Sequence, residues 1–476
     1  MTKEDAIQNV TWDELQIGAA ARIERACTVD DLILFAHVTG NVNPLMLPAN
    51  DGEAIELPMA PSLWVGSLVS AVLGNILPGA GTLYLSQNFR FGARVHPGDI
   101  LSIQVRCVEL REKPVAVFEA RVLKADGAIA CEGFAEVAAP LQSIISSRSA
   151  LPALILDHHD HFAKLIARAA MLDPLPTAVV WPDDQNSLAG ALLATEHGLI
   201  EPVLIGPRKK MIEIAATVGA PFDASWIADA QDHHEACGRA VELTQRGATR
   251  AIMKGNVHSD EILAAIVNKH AGMCTERRIS HVFAIDAPTL DRLLFISDAA
   301  VNIAPDLAAK VDIVQNAIDL ARACGIEKPK VGVLSAVETV NVAIPSTLDA
   351  AILSKMADRG QIRGGVVDGP LAMDNAVDAD AARTKGIASL VAGQADILIA
   401  PNIEAGNMLA KELTFVARAE AAGLVLGARI PVMLTSRADN ERARLASSAL
   451  AALYDHWRKT GSAVSEAPQI VSKAAE

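Results

Sequence analysis

A hydroxyl, a guanidinium and a carboxylate follow one another closely at Ser436, Arg437 and Asp439, within Thr435-Ser436-Arg437-Ala438-Asp439. A guanidinium beside hydrogen-bonding side chains is a set that can hold an anion. The flanking residues say how it is positioned. Ile430, Val432, Met433 and Leu434 form an apolar run of strand length, and Leu445, Ala449, Leu450 and Leu453 repeat at helical spacing. A strand therefore delivers the set to the amino end of a helix, the place where open α/β sheets bind ligands and where free N–H groups meet an anion. A second reading stays open: Ser436 followed three residues later by Asp439 is also capping-box spacing, in which both side chains satisfy backbone donors. Arg437 favours the first reading, because a cation in the first turn opposes the helix dipole and seeks an external anion.

Three further stretches carry polar groups just after a short apolar run. Lys254-Gly255-Asn256-Val257-His258-Ser259 follows Ala251-Ile252-Met253 and opens a helix over 260–267. A lysine, a permissive glycine and helix N–H groups form a phosphate cradle, without the glycine spacing of a P-loop; a solvent-facing loop charge is the equal alternative for Lys254. Asp374 follows a strand expected at 365–367, and Asn402, Gly406 and Asn407 follow one at 397–399. Glycine and proline in those loops turn the chain, whereas Asp374, Asn402 and Asn407 exceed what turning requires. His158, His159 and His161 in DHHDHF, like His233 and His234 in DHHEAC, open helices. Capping segments are expected there rather than metal sites, which recruit ligands from distant segments.

At 476 residues the chain exceeds what one core supports and should hold two or three domains. Acids outnumber bases 56 to 42, giving a formal charge of -14, which argues against nucleic acid or an anionic membrane as partner. An anionic substrate must then be held by local clusters of cations and helix ends. The six cysteines contain no C-x-x-C pair, as expected of a reduced cytoplasm. MTKEDAIQNV lacks an apolar signal core, and the longest apolar run, between Pro61 and Pro78, is interrupted by Gly66, Gly74 and Asn75. A buried core helix is expected there, not a bilayer span.

Over the first 140 residues the pattern predicts a strand at 20–29, a helix at 30–38 started by Thr28 or Asp30, an apolar helix at 62–77, and strands at 82–91, 100–110, 115–124 and 128–138. This is an antiparallel sheet wrapped around one helix. FAHVTGNVNP, LPGAGTLYLSQNFRF and VHPGDIL resemble the MaoC-like, R-specific enoyl-CoA hydratases of hot-dog fold. In that family the helix leads into Gly-Asp-x-Asn-Pro-x-His, whose acid and imidazole activate water and protonate the substrate. Here the residues are Gly40, Asn41, Val42, Asn43, Pro44, Leu45 and Met46. An amide and a thioether exchange no proton near neutral pH, and losing such a group costs roughly 10²- to 10⁴-fold. The expectation is a scaffold at Asn41, Asn43 and Met46 without hydratase chemistry, kept for assembly or for holding an acyl-CoA.

From residue 175 strands and helices alternate in the rhythm of parallel βαβ units. IMKGNVHSDEILAAI, DGPLAMDNAV, VAGQADILIAPNIEAGNMLAKEL and IPVMLTSRAD resemble the phosphate acetyl/butyryltransferases over about 155–460. That family interconverts acyl-CoA plus phosphate with acyl phosphate plus free CoA. The resemblance implies two α/β subdomains of isocitrate dehydrogenase type with the site in the cleft between them. It implies Ser436 stabilising the tetrahedral intermediate and Arg437 holding phosphate, with Asp439 the candidate base for the CoA thiol. Substrate contacts are expected from Lys254, Gly255, His258, Asp374, Asn402, Gly406 and Asn407, with no metal and no cofactor beyond CoA as substrate. The expected organisation is a hot-dog domain at 1–142, a linker at 143–155, a transferase domain at 156–465 (subdomains about 156–275 plus 430–465, and 276–429) and a tail at 466–476. A homo-oligomer is expected from both resemblances. Two alternatives remain: a bifunctional hydratase and transferase, and a non-catalytic acyl-CoA-binding scaffold. A dehydrogenase is disfavoured because no G-x-G-x-x-G follows a strand.

Overall fold

The computed structural model describes residues 6–47, 58–147, 160–268, 272–434 and 440–465. The chain forms two units, Met1–Leu156 and Asp157–Glu476. In the first, β1 (Ala6–Gln8), β2 (Ala20–Ala26), α1 (Val29–Thr39), α2 (Ser62–Asn75), β3 (Leu83–Phe91), β4 (Ile100–Leu110), β5 (Val115–Lys124), β6 (Ile129–Ala138) and β7 (Ile145–Ser147) follow in order. Thr28, not Asp30, starts α1: its hydroxyl accepts the Asp31 N–H at 3.2 Å while the Asp31 carboxylate accepts the Thr28 N–H at 2.9 Å. Helix α2 is apolar because Trp64, Val65, Leu68, Val69, Val72 and Leu73 are all buried. They pack in one core with alternate residues of the strands, such as Leu101, Ile103 and Val105 of β4 and Phe118 and Val122 of β5. Each such Val, Leu or Phe side chain contributes about 1.5–3 kcal/mol on full burial. The antiparallel sheet runs β2-β4-β5-β6-β3, and with its central helix it is a hot-dog fold.

Within 143–155, expected as linker, β7 pairs antiparallel with β1, Gln8 opposite Ile145. The Asn9 side chain fastens this seam, accepting the Ile144 N–H at 2.8 Å and donating to Gln142 O at 3.0 Å. A three-residue strand leaves no periodic signal, so the serines and prolines around it read only as a break.

The second unit opens with α3 (His161–Ala169), β8 (Leu175–Val180), α4 (Gln185–Glu196), β9 (Ile200–Gly206), α5 (Arg208–Val218), β10 (Ile227–Asp229), α6 (His233–Gln245), β11 (Ala251–Lys254) and α7 (Ser259–Val267). It continues with β12 (Ser280–Asp286), β13 (Leu294–Ser297), α8 (Leu307–Ala323), β14 (Lys330–Leu334), α9 (Pro345–Asp358), β15 (Val366–Leu371), α10 (Met373–Val377), α11 (Ala379–Thr384) and β16 (Ile397–Ile399). Last come α12 (Ile403–Lys411), β17 (Glu420–Leu426), β18 (Val432–Met433) and α13 (Glu441–Thr460). Among the described residues no helix is long and apolar enough to cross a membrane.

One 11-stranded sheet, ordered β10-β9-β8-β11-β18-β17-β12-β13-β16-β14-β15, runs through the whole unit. The strands from β10 to β18 are mutually parallel. Then β17 opposes β18, β12 opposes β17 and β13 opposes β12, while β16, β14 and β15 run parallel to β13. The βαβ rhythm expected from the sequence thus holds within each half and is broken between them. Three successive antiparallel pairs make the break: β12 runs in the direction of β18, so the β12-β13 pair carries the net reversal, and between β18 and β12 lies β17, absent from the sequence expectation. Its run Ala422-Gly423-Leu424-Val425-Leu426 is buried throughout and shows no alternation, so it carries no strand period. The carboxyl ends of β8, β9, β11 and β18 therefore lie at one edge of the sheet, and those of β13, β14, β15 and β16 at the other.

Candidate active site

Residues 435–439, with Ser436, Arg437 and Asp439, lie outside the described residues. Their flanks are defined. Strand β18 pairs with β11 on one side, Met433 opposite Met253, which brings Lys254 and Leu434 to the same level of the sheet. On the other flank α13 is capped by Asn440, whose side chain accepts the Ala443 N–H at 2.8 Å. The capping position proposed for Ser436 is thus filled by Asn440.

Lys254 ends β11 and is only 3% exposed, which removes the reading of a solvent-facing loop charge. Arg444, in the first turn of α13, is buried as well, with Nη1 3.5 Å from Lys254 O. Gly255 and Asn256 serve differently from the cradle expected. Their N–H groups donate to Val180 O at 2.9 Å and Trp181 O at 2.8 Å, so neither is free for phosphate. Gly255 is required by closeness: a Cβ there would sit 2.5 Å from Val180 O. His258 is the N-cap residue of α7 and makes no side-chain cap bond, and the first turn holds Asp260 and Glu261, which oppose an anion at that helix end.

The same edge holds residues that sequence reasoning missed. Asp183, nearly buried, accepts from Lys210 Nζ at 2.6 Å and from Asn256 Nδ2 at 2.9 Å. Arg208, Lys209 and Lys210 open α5, whose first turn contains no acid and whose N-cap Pro207 offers no side-chain acceptor. A basic first turn against the helix dipole is the signal in the sequence that marks them. Beyond Trp181 a cavity of about 1130 Å³ opens between α6 and α7. Its described lining includes Asp232, Asp260 and Glu261 and neither lysine nor arginine, a charge that disfavours the phosphates of CoA.

Asn402, Gly406 and Asn407 gather at the opposite edge and build a loop. Asn402 caps α12 by accepting the Ala405 N–H at 3.0 Å, and Asn407 Nδ2 donates to Ala299 O at 3.0 Å. A Cβ on Gly406 would fall 2.2 Å from Asp298 O. Asp298, also missed, is 2% exposed, and its carboxylate accepts the N–H groups of Ala300 at 2.9 Å, Val301 at 3.0 Å and Asn302 at 3.1 Å. Asp374 stands apart near the ends of β14 and β15. Its carboxylate is 3.0 Å from Lys385 Nζ, whose hydrogen bond holds it below the usual aspartate range. The structure thus brings Lys254 and Gly255 beside the Leu434 flank of 435–439, leaves His258 at the start of α7, and does not bring Asp374, Asn402, Gly406 or Asn407 to that edge.

His161 and His233 stand at the first positions of α3 and α6, whereas His158 and His159 lie outside the described residues. Asp160 accepts the Ala163 N–H at 2.8 Å and Asp232 the Glu235 N–H at 2.8 Å. His161 Nδ1 lies 2.8 Å from Asp286, a bond that raises the imidazole pKa. Among the described residues no group of His, Cys, Asp and Glu is placed to hold a metal ion.

In the hot-dog unit Asn43 caps a short turn, accepting the Leu45 N–H at 3.1 Å. That turn brings Asn41 Nδ2 to 3.6 Å from Met46 Sδ. The two positions adjoin, as an acid/base pair would require, and hold an amide and a thioether. His37 is exposed on α1 and does not replace either.

The sequence pattern of the family described as phosphate acetyl/butaryl transferase matches residues 227–452. A phosphate acetyltransferase from Rhizobium meliloti is 54% identical over 298 residues, covering 63% of this chain and 94% of that protein. This chain belongs to the phosphate acetyl/butyryl transferase family. A phosphate butyryltransferase from Clostridium acetobutylicum is 41% identical over 61% of this chain and 97% of its own length. The crystal structure of a branched-chain phosphotransacylase from Enterococcus faecalis superposes with a TM-score of 0.52 at 26% identity, covering 59% of this chain and 99% of its own. The second unit of this acyltransferase accounts for that fold, and the hot-dog unit precedes it.

Proposed function

We propose that this phosphate acyltransferase moves a short acyl group between CoA and inorganic phosphate at the edge formed by the carboxyl ends of β8, β9, β11 and β18. The observation that carries the reading is the pairing of β11 with β18. It sets buried Lys254 level with Leu434, one residue before the segment that holds Ser436 and Arg437. In the direction of CoA acylation, the thiol proton passes to a base, with Asp439 in that role. The sulfur attacks the acyl carbon, and the phosphate oxygen leaves with the bonding electron pair. Ser436 donates to the tetrahedral oxyanion, while Arg437 and Lys254 take up the charge of the phosphate. Arg208 and Lys209 supply further cations for the phosphates of CoA. No electron changes hands, so the chemistry calls for no redox cofactor.

Acetyl is the first acyl group to test, given the greater identity to an acetyltransferase, and butyryl the second. Asn41 and Met46 argue that the hot-dog unit hydrates no enoyl-CoA. A homo-oligomer is supported by β3, an edge strand with Leu83, Leu85 and Phe91 exposed, a surface that a second copy would cover. Cytoplasmic residence is supported by the six free cysteines. The test is release of free thiol from acetyl-CoA and butyryl-CoA on adding phosphate; no phosphate-dependent release from either would defeat the proposal.

A further inference from the structure

Asp183 is a buried carboxylate that the proposed reaction does not use. It lies on the loop after β8 and touches both neighbouring loops, through Lys210 Nζ at 2.6 Å on α5 and Asn256 Nδ2 at 2.9 Å after β11. Two further bonds zip the β8 and β11 loops together, Gly255 N–H to Val180 O and Asn256 N–H to Trp181 O. Trp181 itself has φ 57, a left-handed backbone uncommon for a bulky residue and kept only where the surroundings impose it. Resting on the proposed role of Lys254, the structure assigns Asp183 as a positioning residue that ties the Lys254–Asn256 turn and the basic start of α5 into one substrate-facing unit.

The physical reason is charge as well as geometry. Lys254, Arg208, Lys209 and Lys210 all stand at one sheet edge, and Asp183 is the described carboxylate bonded between two of the loops that carry them. Without it, Lys210 is no longer drawn toward the β8 loop and Asn256 loses its acceptor. The turn that sets the height of Lys254 then relaxes. A carboxylate engaged by an ammonium and an amide is spent on holding, and it touches no reacting atom.

The test is phosphorolysis kinetics of the full chain with phosphate varied. Asp183→Ala should raise the KM for phosphate about tenfold with kcat within about threefold, because a group left unpaired shifts binding by that order. Asp183→Asn keeps an acceptor for Asn256 and should return the KM to within about threefold of the parent. In a Lys254→Gln background the further change Asp183→Ala should add no more than about twofold, since residues acting through one contact are not additive. A tenfold effect persisting in that background, or a lowered Tm with an unchanged KM, overturns the inference. If Asp183→Ala does not fold, Asn256→Ala must raise the KM in the same way, and an unchanged KM there overturns it. Lys254→Gln with an unaltered KM removes the role of Lys254 and this inference together; a raised KM in Lys254→Gln beside a silent Asp183→Ala removes the inference alone.

Discussion

In the hot-dog unit, Asn41 and Met46 adjoin at the positions where proton exchange would occur and bring an amide and a thioether. In the transferase unit, the edge next to residues 435–439 brings Lys254, Lys210 and Arg208, with Asp183 holding the loops. One unit has a hot-dog frame with an amide and a thioether at its adjoining positions, whereas the other surrounds its proposed site with charge. Frame and chemistry are thus separable: a helix packed in a curled sheet is stabilised by apolar burial and survives changes at a surface turn, while a reaction depends on two or three side chains.

The largest test of that contrast falls on the transferase side. Arg437→Gln and Ser436→Ala should each lower phosphorolysis by roughly 10²- to 10³-fold, with the Tm of the chain little changed. Turnover and phosphate affinity both unaltered in Arg437→Gln would erase the contrast. On the other side, the parent chain should show no hydration of crotonyl-CoA, and Asn41→Asp with Met46→His should raise hydration by about 10²-fold above that background. Hydration by the parent would mean that another pair replaces Asn41 and Met46.

A smaller effect separates the two edges of the sheet. Asn402→Ala should cost about 1 kcal/mol of stability by removing the α12 cap, with the KM for phosphate unmoved. A raised KM with unchanged stability would return Asn402 to the substrate. The smallest effect is in pH dependence, and two histidines should act with opposite sign. Burial pushes His281 down to about 4, so below about 6.5 the unfolded chain binds a proton that the fold does not. Stability should therefore fall as pH drops from about 6.5 toward 4, and His281→Asn should flatten that limb of a Tm profile. His161 is raised by its hydrogen bond to Asp286, so its contribution is full below about 6.5 and is lost as pH rises through the elevated value. Asp286→Asn should flatten the opposite limb.

Much of the fold was legible because periodicity reports burial. Helix α2 and strands β4 and β5 stand where the apolar pattern puts them, and the Asn41 to Met46 turn was legible by residue type. Strand β17 was not, since a strand buried on both faces has no alternation, and neither was the antiparallel pairing of β12 with β13, which reverses direction and divides the strand ends into two groups. That reversal is why Asn402, Gly406 and Asn407, polar and placed after a strand like Lys254, serve a loop at the other edge. The sequence shows that a residue follows a strand; which way the strand points is decided by its pairing. Asp183 was missed because its role lies in contacts 27 and 73 residues away.

The central claim is that one chain carries an active transferase beside a hydratase frame without its acid and base. It is tested most directly on a single preparation of the intact protein, given acetyl-CoA with and without phosphate and, in parallel, crotonyl-CoA. The account predicts phosphate-dependent thiol release together with unchanged enoyl-thioester absorbance. Absorbance lost without any phosphate-dependent thiol would contradict it.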